Sequence, residues 1–260
     1  MKKILLVIAL IATGGAAAAA DVTALYKAPA KLPVYDWTGG YVGAHLGYGL
    51  GRTASSVTTL PSPSSFNETP FSIGLNPQGA LGGFQLGYNW QVNRSIFGVE
   101  TDLSYSGVRG EGTSAPIFSL APTPVPGSYQ NNSQRMEWFA TIRARAGVRV
   151  VDNFLLFATG GAAFGVVKYD ALQFLAAPAA NQFAAGSRVT KTGWTIGAGG
   201  EWAFAQNWSA KAEYLYYDLG SETLTADRVG PVPFVDPFKV VSNFGTDGHI
   251  VRIGVNYQLR

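Results

Sequence analysis

Eight ionisable side chains sit inside stretches of alternating large and small residues: the acids Glu100, Asp102, Glu201 and Glu213, and the bases Arg143, Arg145, Lys211 and Arg252. Glu100-x-Asp102 and Arg143-x-Arg145 have the spacing that puts both members on one face of a strand, where side chains alternate with a period of two. If those strands are neighbours, carboxylates face guanidinium groups and pair across the sheet. Gathered in one interior, the acids and bases would neutralise one another, the condition under which charge is tolerated away from water. Strung along a channel, they would instead line a narrow path for ions or small solutes.

Other chemistry has little to work with. Nucleophilic catalysis needs a base and an orienting group within reach of the nucleophile, and the chain has two histidines. His45 lies between Gly43 and Gly47 within a strand-like stretch, and His249 follows Asp247 near a loop. Neither has a partner at metal-ligand spacing. Cysteine is absent, which removes thiol catalysis, thiolate metal sites and disulfides. Gly197, Gly199 and Gly200 resemble part of a phosphate loop, but no helical pattern follows them. No catalytic, metal or cofactor-binding residue is assigned.

The elements that must position the charges read as eight strands. In the first, Val42, Ala44, Leu46, Tyr48 and Leu50 alternate with Tyr41, Gly43, His45, Gly47 and Gly49. In the fourth, Met136, Trp138, Ala140, Ile142, Ala144 and Val148 oppose Glu137, Thr141, Arg143, Arg145 and Gly147. In the eighth, Val251, Ile253, Val255, Tyr257 and Leu259 oppose Arg252, Gly254, Asn256 and Gln258. The fifth, near residues 154–167, has no clear polar face and no register is assigned. Short turns fall around Val92 to Ser95, Asp152 and Asn153, and Ala205 to Asn207. Long connections rich in Pro, Ser, Thr, Asn and Gly fall around 51–78, 107–134, 168–190 and 219–247.

Three short turns and four long loops are the layout of an all-β, eight-stranded antiparallel transmembrane barrel with short periplasmic turns and long extracellular loops. Charged residues make up 13% of the chain, against about 25% in an average soluble domain. No stretch is apolar enough over about 20 residues to cross a bilayer as a helix. Residues 1–20, with Lys2 and Lys3 before an apolar run and Ala18 to Ala20 before Asp21, have the form of a secretory signal peptide. Residues 21–36 then read as a periplasmic lead-in and 37–260 as the barrel. Without Lys2 and Lys3 the formal charge falls from +3 to +1, and no Lys/Arg cluster points to a nucleic-acid partner.

A soluble barrel would also alternate, but with its large residues inward. The aromatics argue for lipid outside. They fall at strand ends as two expected girdles, Trp37, Trp90, Trp202, Trp208 and Tyr257 toward the periplasm and Tyr48, Tyr105, Trp138 and Trp194 toward the exterior. Eight strands enclose only enough room for side chains, so the expected lumen is a salt-bridged plug.

The segment from Tyr35 to Gly51, YDWTGGYVGAHLGYGLG, resembles the opening strand of the small outer-membrane porin and surface-antigen barrels of alphaproteobacteria. LFATGGAAFG, WTIGAGGEWAF and WSAKAEYLYYDLG resemble further segments of that family in the same order, so the likeness covers residues 21–260. It implies an outer-membrane address, contact with outer-membrane lipid and lipopolysaccharide, and assembly by the barrel-assembly machinery. Some relatives are described as surface antigens and some as haemin binders, which makes haemin or a host surface a further expected ligand, held by loop aromatics such as Phe66, Phe118, Phe183, Phe234, Phe238 and Phe244. Relatives usually end in Tyr-x-Phe, whereas Tyr257, Gln258, Leu259 and Arg260 stand here.

Overall fold

The computed structural model describes residues 35–60, 71–114, 117–118, 124–176, 181–229 and 239–259. The expected signal peptide, most of the lead-in, and Phe66, Phe234, Phe238 and Arg260 lie outside the described residues. Eight long strands form the wall: β1 (Gly39–Leu50), β2 (Gln78–Val92), β3 (Ser95–Ser106), β4 (Tyr129–Val151), β5 (Phe154–Leu175), β6 (Asn181–Ala205), β7 (Trp208–Val229) and β8 (Lys239–Leu259). Each pairs antiparallel with the next, and β8 returns to β1 in register from Gly40↔Leu259 to Leu50↔His249. Closure leaves the membrane-spanning wall without an unpaired edge, the requirement for a sheet in lipid. Asn93, at φ 57°, helps turn β2 into β3, a conformation that asparagine tolerates better than most residues.

The strands run farther than the sequence suggested. Most of the expected loops at 107–134, 168–190 and 219–247 are strand, and the expected loop at 51–78 contains Ala54–Leu60, paired with β8, and Phe71–Gly74, paired with that strand in turn. Arg109–Ser114 pairs with the outer part of β4. The reason is a change of phase. On β8, Val251, Ile253 and Val255 point outward, whereas Val240, Phe244 and Ile250 point inward. Above the membrane water lies outside the wall, so the apolar residues must switch to the interior.

Two more expectations are corrected. Met136 is buried at 3% exposure and does not face lipid. Val166 pairs with Trp138 but Val167 pairs with Met136, so Glu137 is an extra residue, a bulge that reverses the alternation of β4. Trp37 is no girdle residue. At 2% exposure it packs inside the periplasmic mouth edge-on to Tyr35, ring centroids 4.7 Å apart, and its backbone N–H donates to Gln91 Oε1 at 3.0 Å. It precedes β1, so the wall's alternation does not bind it, and burying an indole removes more apolar area from water than leaving it at the rim.

Candidate functional site

The lumen is filled in three layers. Tyr35, Trp37, Ile96, Leu155, Phe157 and Ala203 close the periplasmic end. A second apolar cluster, including Phe139, Val167, Tyr169, Leu215, Tyr217, Phe244 and Ile250, fills the extracellular half. Between them lie Glu100, Asp102, Arg143, Arg145, Glu201, Lys211, Glu213 and Arg252, each no more than 4% exposed. Four formal negative and four formal positive charges leave the layer neutral.

Its geometry is a web of charge-assisted bonds, which are stronger than neutral ones. Arg143, on β4, bonds Glu100, reaches Asp102 Oδ2 at 3.0 Å and Glu213 Oε1 at 2.6 Å, and donates Nε–H to Thr141 Oγ1 at 2.9 Å. Arg252, on β8, donates to Glu213 Oε2 at 2.7 Å and to the same Asp102 oxygen at 3.0 Å. Lys211 Nζ lies 2.8 Å from both oxygens of Glu100, whose Oε2 also accepts the Tyr41 hydroxyl at 2.6 Å. Register sets the cross-strand neighbours: Glu100 stands directly opposite Arg143, and Glu213 opposite Arg252.

Arg145 departs from the expected pairing. It stands opposite Gly98 on β3, yet crosses the lumen to Glu201 on β6, with its guanidinium 3.8 Å from the centroid of the Phe157 ring. Glu201 Oε1 then accepts Ser209 Oγ–H at 2.6 Å and Asn256 Nδ2–H at 2.8 Å. Tyr41, Thr141, Ser209 and Asn256 complete the web but were not singled out as members of it. Tyr41 carried a legible signal, as the one large aromatic on the glycine-rich face of β1.

Glycines make room for the charges. Glu100 faces Gly87, Arg143 faces Gly161, Arg145 faces Gly98, Lys211 faces Gly254, Glu213 faces Gly199 and Arg252 faces Gly47. A Cβ at Gly47 would lie 2.7 Å from Arg252 Cβ. His45 is buried, with Nε2 2.8 Å from Ser104 Oγ, and His249 stacks on Tyr214 at the outer rim. Among the described residues no group of three or more potential ligands could hold a metal ion. In the extracellular half, Tyr169 lies 2.5 Å from Thr246 Oγ1, and burial pushes its hydroxyl up to about 12.

On the outer surface Trp90, Trp202, Trp208 and Tyr257 lie exposed at periplasmic ends of the wall, and Tyr48, Tyr105, Trp138 and Trp194 lie exposed at the outer boundary of the apolar belt, where Trp138 and Trp194 are mid-strand. Several pair, Trp208 with Tyr257 at 5.0 Å and Tyr105 with Trp138 at 5.3 Å between centroids. Of the aromatics expected in loops, Phe183 and Phe244 are buried inside the extracellular wall at 3% and 0% exposure.

Residues 6–258 match the family model described as the outer membrane protein beta-barrel domain. The chain is 34% identical over 264 residues to the 31 kDa outer-membrane immunogenic protein of Brucella melitensis, covering 99% of this chain and 100% of that protein. It is 28% identical over 201 residues to the 22 kDa outer membrane protein of Rhizobium leguminosarum bv. viciae, covering 77% of this chain and 72% of that one. In fold it is similar to the outer membrane protein OprG from Pseudomonas aeruginosa, with a TM-score of 0.50 at 12% identity, covering 87% of this chain and 98% of that one. A closed wall that turns its apolar side outward at mid-height and matches one family model over nearly its whole length has one assignment: the chain belongs to the outer-membrane β-barrel family and is an outer-membrane protein.

Proposed function

We propose that the protein is a closed structural barrel, without enzymatic activity, that stiffens the outer membrane and carries a rigid extracellular wall above it. The observation behind this reading is the neutral ionic layer held between two apolar layers. An ion crossing the lumen would have to break charge-assisted bonds among side chains that are each no more than 4% exposed, and then pass aromatic packing on either side. The likeness to immunogenic outer-membrane proteins of Brucella fits the same reading, because the extracellular wall is the part that antibodies would meet.

The test is conductance of the refolded full chain in planar bilayers, with heat-modifiable gel mobility verifying the fold. A folded but silent barrel is expected. Reproducible current steps that change with Glu100→Gln would overturn the reading in favour of a narrow porin. One observation favours that second reading: His45 Nδ1, Gln85 Oε1, Asn89 Oδ1 and Asp102 Oδ1 are buried without a protein partner and would suit a thread of water.

A further inference from the structure

Just outside the outer aromatic girdle, the register lines up basic side chains across adjacent strands. Arg109 stands opposite Arg135 on β4, and Arg135 opposite Lys168 on β5. All three are exposed on the outer face, and they line one groove of about 410 Å³ together with Gly110, Glu111, Ser133, Gln134 and Asp170. Like charges directly opposite one another destabilise a sheet, so this arrangement calls for an anion. Neither Arg109 nor Arg135 has a carboxylate partner among the described residues. The two acids of the groove lie farther out and are engaged, Glu111 with Asn131 at 2.9 Å and Asp170 with Lys168 at 3.4 Å.

The height of the row identifies the anion. Arg135 is three positions outward of Trp138, and Arg109 four outward of Tyr105. At about 3.3 Å per residue that is roughly 10 to 13 Å along the strands, and less along the membrane normal because the strands tilt. The headgroup layer occupies about 5–7 Å beyond each face of the hydrocarbon core. The cations therefore stand at the outer margin of that layer, where their long side chains reach back to the phosphates of the outer leaflet, with the acids on the far side.

We propose that Arg109, Arg135 and Lys168 form a clamp for the phosphates of lipopolysaccharide, seated in this groove. The arginines can each bind phosphate in a bidentate fashion, and the lysine adds a point charge. The inference rests on outer-membrane residence and is independent of whether the lumen conducts.

The test titrates the detergent-refolded full chain with bis-phosphorylated lipid A, with its dephosphorylated form, and with inorganic phosphate, and reads bound lipid by native mass spectrometry. The phosphorylated form is expected to bind at least roughly tenfold more tightly, as loss of two surface cations or their phosphates implies. Arg109→Gln with Arg135→Gln should remove that preference, while Lys239→Gln, which removes an exposed cation on β8 away from the row, keeps it. Equal binding of both lipid forms to the native chain would overturn the clamp, and that comparison needs no variant. A folded double variant that keeps the preference would overturn it too. Inorganic phosphate saturating the groove as readily as lipid A would place a free anion there and reject the lipid assignment.

Discussion

The membrane-spanning half of this barrel and its extracellular half are built from the same eight strands but filled in opposite ways. In the first, charges lie inside and Leu46, Phe84, Ile142 and Ile253 point out, each at least 60% exposed. In the second, Phe139, Tyr217 and Phe244 lie inside while Arg109, Arg135 and Arg188 point out. The wall hydrogen bonds do not distinguish the halves. The solvent beyond the wall does: lipid accepts no polar group without cost, whereas water rewards apolar burial. A barrel crossing that boundary must invert, and the bulge at Glu137 and the Ile250–Val251 step of β8 are where two of its strands do so.

The largest break in this comparison should come from the ionic layer. Arg143→Met removes one of the two guanidinium groups shared among Glu100, Asp102 and Glu213 and leaves the layer one cation short, and losing one partner of a buried ionic group costs about 3–5 kcal/mol. Urea unfolding monitored by gel mobility should show a clearly lowered midpoint, and an unchanged midpoint would mean that water already reaches these carboxylates.

Phe244→Ala probes the other half. Deleting a buried Phe side chain costs about 3–5 kcal/mol when the site cannot collapse, and here the loss should be confined to the extracellular sheet. Hydrogen exchange should accelerate in 239–247 and 169–175 while 250–259 keeps its protection. Uniform acceleration would show that the two halves fold as a single unit.

The smallest effect belongs to the surface. Arg188 pairs with Glu137 at 2.8 Å, with the arginine side chain 61% exposed. Arg188→Gln should change stability by less than about 1 kcal/mol. A larger loss would mean that the bulge itself depends on this pair.

Much of the membrane-spanning half was legible because lipid imposes a simple rule, large apolar residues on one face and glycine or charge on the other. Gly47, the glycine opposite Arg252, belonged to that pattern before any register was known. The extracellular half was illegible for a related reason. Where the phase of large residues flips, at Met136 on β4 and between Val251 and Ile250 on β8, period-two reading stops and long loops look like the answer. β5 gave no register because its interior face carries no charge and is mostly apolar, with Leu155 and Phe157 below and Val167 and Tyr169 above, and Thr159 and Gln173 as the polar members. Trp37 was misplaced because aromatic type and position alone do not say whether a residue before the first strand turns in or out. Arg145 reached past its neighbour strand because long side chains across a narrow lumen ignore sheet order.

The position of Arg252 on the last strand bears on how such a barrel comes into being. Until β8 swings into place against β1 and β7, the inner layer holds the four acids Glu100, Asp102, Glu201 and Glu213 but only the three cations Arg143, Arg145 and Lys211, one short of balance. Asp102 and Glu213 share the guanidinium of Arg143 and each receive a second one only with the final strand. The unfinished sheet therefore carries an electrostatic debt in its interior that closure discharges, and the seam brings the fourth positive charge to the lumen. Zipping up the wall and neutralising the core become one event, and a chain stalled before its last strand is marked as incomplete from within.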